Sequence, residues 1–184
     1  HVWPGRRDRL RHPDRLIFDL DPPDGDLAPV VDAARALKRL LDGVGLAPFL
    51  MSTGSRGLHV VAPLDRSADF DTVREFARRL ADTLVARAPD RFTTEQRKRA
   101  RRGRLYVDTQ RNAYGQTTVA PYALRALPGA PVAVPLDWDE LSGFEPRRID
   151  RSNVLRRLAQ KQDPWRDIQR HARSLAGPAS RLRS

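Results

Sequence analysis

The segment Arg15–Gly25, RLIFDLDPPDG, restricts this chain more than any other stretch of it. Leu16, Phe18 and Leu20 alternate with Ile17, Asp19 and Asp21. A two-residue period predicts a β-strand with both aspartates on one face, roughly 6–7 Å apart along it. Pro22-Pro23 ends the strand and Asp24-Gly25 turns the chain. Two carboxylates on one face repel each other, and both lose water at the end of an apolar strand. A divalent cation with oxygen ligands, Mg²⁺ or Mn²⁺, relieves both costs. A solvent-exposed strand end with two ordinary acids satisfies the same pattern.

The rest of the chain reads as helices alternating with strands. His1–Asp14 is polar and turn-rich, a lead-in loop. Leu27–Asp42 has apolar residues at helical spacing (Val30, Val31, Ala34, Leu37, Leu40, Leu41), with Asp26 to cap it and Gly43 or Gly45 to end it. Leu46–Met51 and Leu58–Leu64 read as strands on either side of the loop Ser52–Gly57. Asp69–Ala88 is a second amphipathic helix, and Thr93–Arg102 a short basic one capped by Thr93 or Thr94. Arg104–Asp108 is a fourth strand, with Tyr106 and Asp108 on one face, and Thr117–Tyr122 a fifth. Gly129–Pro135 is extended. From Asn153 the chain reads helical; Asp163-Pro164 opens the last helix, Gly177-Pro178 breaks it, and the final residues fray. This alternation predicts an α/β or α+β layer with helices packed on a sheet and polar groups gathered at strand ends.

Charge narrows the partners. The 184 residues suit one domain with a real core and carry a net charge of +11. Thirty-one of the thirty-four basic residues are arginine, whose planar fork matches phosphate oxygens. Polyanions are the expected partners, nucleic acid first and nucleotides second. A GC-rich codon bias also raises arginine, but exchanging Lys for Arg does not create a net excess of eleven. With no Cys there is no disulfide framework and no thiolate metal site, a composition that fits the cytoplasm. No apolar run approaches the roughly 18 residues a membrane span needs, and no apolar signal region opens the sequence.

Three constellations carry candidate chemistry. The first is Asp19 with Asp21. The second is Ser52-Thr53-Gly54-Ser55-Arg56-Gly57 followed by His59. There Gly54 and Gly57 let backbone N–H groups approach an anion, the hydroxyls of Ser52, Thr53 and Ser55 add donors, and Arg56 adds charge. Small polar loops between strands are common, and a lone His is often a hydrogen-bonded structural residue. The third is Asp108 at a strand end, followed by Arg111, Asn112 and Gln116. Three acids from two strands beside an anion loop describe metal-assisted phosphoryl or nucleotidyl transfer. The stretch Arg147–Ser184 adds eleven basic residues against three acidic ones, either a nucleic-acid contact or a solvated helical face. Haloacid-dehalogenase-type phosphatases also end apolar strands in Asp-x-Asp and Ser/Thr, as FDLD and FLMST do. Pro22-Pro23 after Asp21 departs from that pattern. Neither Lys98, Lys161 nor the Asp137/Asp139 pair sits in the setting it needs.

Three long motifs then occur in order: HVWPGRRDRLRHPDRLIFDLDPP, MSTGSRGLHVVAPL and YVDTQRNAYGQTTVAPYALRALPGAPVAVPLDWDEL. With them the chain resembles the polymerase domain of bacterial ligase D, in the archaeo-eukaryotic primase superfamily, up to about Trp165. The resemblance implies an α/β (α+β) fold with a central mixed, largely antiparallel sheet flanked by helices. It implies a catalytic core at residues 1–165, then a basic helix and frayed tail at 166–184.

The implied activity is template-directed nucleotide addition to a primer 3′-hydroxyl, in double-strand-break end joining or gap repair. Asp19, Asp21 and Asp108 would be the catalytic and metal-holding residues, with two Mn²⁺ or Mg²⁺ ions. Ser52, Thr53, Gly54, Arg56, His59 and Arg125 would bind the nucleotide. The implied partners are primer-template or gapped DNA, ribo- or deoxyribonucleoside triphosphates, a ligase and the bacterial Ku protein. The implied place is the cytoplasm, at the nucleoid, with no membrane.

Some positions depart from the family. Met51 stands where many members carry Lys, and Arg111, Tyr114 and Ala123 replace commoner Gln, Arg and Ser, as in a divergent stand-alone subgroup. The family usually carries about a hundred further residues upstream, with contacts to the 5′-phosphate and template. A fragment or a minimal relative is therefore expected, the missing initiator Met fitting a fragment. A non-catalytic DNA- or nucleotide-binding remnant that recruits repair partners is the competing expectation.

Overall fold

The computed structural model of the protein describes residues 1–23 and 25–182. Asp24 of the expected turn and the last two residues of the expected frayed tail lie outside the described residues. In chain order the elements are β1 (Gly5–Arg6), β2 (Arg9–Pro13), β3 (Arg15–Leu20), α1 (Ala28–Val44), β4 (Phe49–Ser52), β5 (Leu58–Pro63) and α2 (Phe70–Arg87). Next come β6 (Phe92–Thr93), α3 (Lys98–Arg101), β7 (Leu105–Asp108), β8 (Val134–Leu136), α4 (Val154–Gln160) and α5 (Ala176–Arg181). Six strands form one mixed sheet in the order β6-β7-β3-β5-β4-β8, antiparallel except for the β6–β7 pair. Among the described residues no helix is long and apolar enough to cross a membrane.

Strand alternation gives the sheet two unlike faces. On one face Leu16, Phe18 and Leu20 of β3, Leu58, Val60 and Ala62 of β5, and Leu105 and Val107 of β7 are all buried. They pack under α1 and α2, which supply Val30, Ala34, Leu37 and Leu41, and Val73, Ala77, Leu80 and Leu84, at helical spacing. Asp69 caps α2 by accepting the Thr72 N–H at 2.9 Å, and Gly45, at φ 85°, ends α1. The other face holds only a small apolar cluster around Ile17, Met51, Val61, Val119, Ala133 and Trp165. Beside that cluster the same strands present Asp19, His59, Tyr106 and Asp108. Helices cover the first face and loops border the second, so the polar residues of β3, β5 and β7 meet in a cleft.

Several expected elements take another form. His1–Asp14 is the hairpin β1–β2, not a loop. Its strands carry Arg6, Arg9 and Arg11, so no apolar alternation marks them, and buried Asp14 anchors it through Arg6 and Arg15 at 3.0 and 2.7 Å. The expected strand Thr117–Tyr122 reduces to a single bridge, Val2 with Thr118. Pro121 has no N–H to give a ladder, and Tyr122 turns the chain at φ 62°. Thr93 belongs to β6 and bonds the Glu95 N–H, so the basic helix shrinks to Lys98–Arg101. Asp163 closes a turn on Trp165 instead of starting a long helix. Gly177 and Pro178 lie inside α5, where a first-turn proline loses no helical hydrogen bond. Residues 166–182 return to the core: Arg173 exchanges backbone hydrogen bonds with Pro63 and Asp65, and Leu175 is buried.

Candidate active site

The strand registers place four residues in one row. Met51 of β4 pairs with His59 of β5, His59 with Asp19 of β3, and Asp19 with Asp108 of β7. Neighbouring strands lie about 4.8 Å apart, so Asp19 and Asp108 are like charges directly opposite each other, an unfavourable cross-strand pair. Asp21 follows Leu20 just beyond the end of β3 and is half exposed. The three acids picked out by alternation alone therefore share one cleft of about 340 Å³, with Arg56, Lys98, Arg101 and Tyr106 also lining it.

The acids are not equivalent. Asp19 is buried, which by itself pushes its carboxyl up, yet His59 and Arg111 hold it below the ordinary value. The His59 Nε2 lies 3.4 Å from Oδ1, and Arg111 Nε donates to Oδ2 at 3.1 Å. His59 is set by Thr118, whose Oγ1 lies 3.2 Å from Nδ1. Asp21 and Asp108 shift the other way: desolvation and the charge of Asp19 both raise them. The Arg56 guanidinium is 4.0 Å from Asp21. Asp108 accepts hydrogen bonds from neutral donors, the Gln110 N–H at 2.7 Å and the Tyr106 hydroxyl at 3.3 Å.

A smaller hollow of about 120 Å³ adjoins the cleft and shares Asp19, Asp21 and Arg56 with it. Thr53, Ser55, His59, Arg111, Thr118 and Arg125 are also part of its wall. Its lining mixes two carboxylates with three arginines, and Arg111 and Arg56 lie against Asp19 and Asp21 themselves.

The loop Ser52–Gly57 is wired from within. Thr53 Oγ1 donates to the Gly57 carbonyl at 3.1 Å and accepts the N–H groups of Gly57 and Ser55 at 3.3 and 3.4 Å. A side chain at Gly57 would place its Cβ 2.0 Å from the Leu20 carbonyl oxygen and 2.7 Å from Asp21 Oδ1. Only glycine lets this loop touch the end of the acidic strand. Gly54, at φ 65°, lies against the Val132–Ala133 backbone. Ser52 is not brought into the hollow. Its hydroxyl donates to the Pro146 carbonyl at 3.0 Å and accepts the Gly54 N–H at 3.2 Å, and it lines a different cleft with Arg157 and Lys161.

Lys98, Arg101, Tyr106 and Thr118 were not singled out for this site from sequence. Tyr106 alternates with Asp108, a signal that was there to use. Lys98 and Arg101 sit in the basic run 97–104, where nothing in the spacing separates cleft residues from solvent-facing ones. Arg101 stacks its guanidinium 4.2 Å from the Tyr106 ring centroid and bonds the carbonyls of Glu95 and Gln96, so it also shapes the loop.

Among the described residues no three His, Asp or Glu side chains converge into a preformed metal cage. The donor chemistry nevertheless fits a hard divalent cation. Three carboxylates meet at one cleft, and two are raised by desolvation and by Asp19, a strain that added positive charge relieves.

Comparison with known proteins agrees with this frame. The family model described as LigD, primase-polymerase domain, matches residues 1–165. The multifunctional non-homologous end joining protein LigD of Pseudomonas aeruginosa is 36% identical over 174 residues, 91% of this chain and 20% of that protein. The bifunctional LigD of Bacillus subtilis is 32% identical over 166 residues, 89% of this chain and 27% of that protein. The solved polymerase domain of Mycobacterium tuberculosis ligase D, in complex with DNA, superposes with a TM-score of 0.80 at 35% identity, over 88% of this chain and 56% of that one. The fold and sheet are thus those of a primase-polymerase. The chain belongs to the LigD primase-polymerase domain family, and it spans about a fifth to a quarter of the length of these curated relatives.

Proposed function

We propose that this chain is a metal-dependent, template-directed nucleotidyltransferase that extends primer 3′-hydroxyls in non-homologous end joining or gap repair. The observation that carries this reading is the in-register row His59–Asp19–Asp108 facing an arginine-lined hollow. Asp19, Asp21 and Asp108 would hold Mn²⁺ or Mg²⁺, two ions in this reading. Bound there, these ions would lower the pKa of the attacking hydroxyl and offset the charge of the triphosphate and departing pyrophosphate.

The chain's own groups supply the rest. His59, Arg56 and Arg125 would grip the triphosphate, and the glycines of the 54–57 loop would let backbone approach it. Thr53 keeps that loop in shape, and Ser52, bonded to the Pro146 carbonyl, would hold it from behind. Lys98 and the exposed arginines would hold DNA phosphates, with the salt sensitivity such contacts impose. Residues 1–165 would form the catalytic core, and residues 166–182 a basic C-terminal segment that packs back on it. A role in end joining, the process in the names of the LigD relatives, would place the chain with a ligase and the bacterial Ku protein, in the cytoplasm at the nucleoid.

A single-nucleotide extension assay on gapped duplex DNA tests the proposal. The expected result is Mn²⁺-dependent incorporation of ribo- or deoxyribonucleotides. Salt-sensitive DNA binding without incorporation under any divalent ion would instead establish the non-catalytic remnant.

A further inference from the structure

We propose that Arg111 is an internal counter-ion that occupies Asp19 until a divalent cation displaces it, so that a guanidinium and a metal compete for one carboxylate. The inference rests on the metal-holding role proposed above for Asp19, Asp21 and Asp108.

The central acid of the row is the one already engaged. Asp19 is only 8% exposed, and both of its oxygens face cationic or donor groups, Arg111 Nε at 3.1 Å and His59 Nε2 at 3.4 Å. Asp108 accepts hydrogen bonds from neutral donors, and Asp21 has Arg56 at the outer limit of an ion pair. A cation approaching the row therefore finds Asp21 and Asp108 open and Asp19 held.

Arg111 is built to let go. Its side chain is 39% exposed, and its other hydrogen bond, to the Thr117 carbonyl, is a long 3.4 Å. It stands on a short 3₁₀ turn, residues 110–112, that is fixed independently of it. Asn112, buried, donates to the carbonyls of Ile17 and Thr109 and accepts the Ile17 N–H at 2.8 Å. The guanidinium can swing while the turn stays. The hollow that Arg111 lines with Arg56, His59 and Arg125 offers it an anion to turn to. Until it moves, a guanidinium and a divalent ion on one carboxylate repel each other strongly in a half-buried site.

The test is a Mn²⁺ titration, with free Mn²⁺ read by electron paramagnetic resonance, on the wild type and on Arg111→Gln, Arg111→Lys and Asp19→Asn. Arg111→Gln is expected to bind Mn²⁺ about tenfold more tightly, or better. Arg111→Lys, which keeps a charge but loses the Nε–H that reaches Asp19, should tighten it less, and Asp19→Asn should weaken it. A purely structural role for Arg111 would appear as equal or weaker Mn²⁺ binding in Arg111→Gln. That result, with Asp19→Asn still weakening the ion, overturns the competition while leaving the metal site standing. Unchanged Mn²⁺ binding in Asp19→Asn instead overturns the metal reading, and the competition with it.

Discussion

The two faces of the central sheet are made by the same strands and do opposite things. Leu16, Phe18 and Leu20 vanish under α1 and α2, while Asp19, one residue from Phe18 and from Leu20, opens into a cleft. One face lowers the free energy of the fold through apolar burial, roughly 25 cal/mol per Å². The other sets like charges opposite each other and raises it. Such a row is favourable only where something outside the chain completes it, which in the proposed function would be a cation and a phosphate.

The comparison breaks most sharply under substitution. Asp19→Ala or Asp108→Ala should cut nucleotide incorporation by on the order of 10³-fold or more, while circular dichroism reports an intact fold. Phe18→Ala, its neighbour on the covered face, should do the reverse. A cost of about 3–5 kcal/mol in urea unfolding is expected, with activity per folded molecule retained. Gly57→Ala couples the two faces. Its Cβ would push the loop off Leu20 and Asp21, so about 1–3 kcal/mol of stability and most nucleotide affinity should be lost together. Calorimetry and a thermal melt on the same sample check this.

The smallest effect is in pH. Asp14 is buried, but Arg15 and Arg6 hold its carboxyl below the usual value. Its contribution is therefore present above the unfolded value of 3.8 and is lost as pH falls through the lowered folded one. Asp21 and Asp108 are raised, so their ionisation costs stability as pH climbs through their folded values. Acid titration of stability in Asp14→Asn and Asp108→Asn should move in opposite directions.

Much of the covered face was legible in the sequence, because apolar residues at periods of two and near four have no other common cause. So were the three acids and the 54–57 glycines, since alternation and turn chemistry are local. What escaped was non-local. The β1–β2 hairpin is arginine-rich, shows no apolar alternation and stands on Asp14 with Arg6 and Arg15. Thr117–Tyr122 looks like a strand until Pro121 and the left-handed Tyr122 deny it a ladder. Ser52 is one residue from Thr53, yet alternation turns it toward Pro146 and out of the hollow. Arg111 looked like part of a polar run, and only the register of β3 against β7 brings its turn to Asp19.

The proposed metal site combines Asp19, held by His59 and Arg111, with Asp21 and Asp108, whose carboxyls burial and Asp19 push up and a divalent cation would satisfy. Thermal unfolding of the wild type and Asp108→Asn, each with chelator and with Mn²⁺, tests it most directly. The account expects Asp108→Asn to melt higher than the wild type in chelator, because a raised carboxylate is removed, and Mn²⁺ to stabilise the wild type far more than the variant. Equal stabilisation of both proteins by Mn²⁺, or none of either, would contradict it.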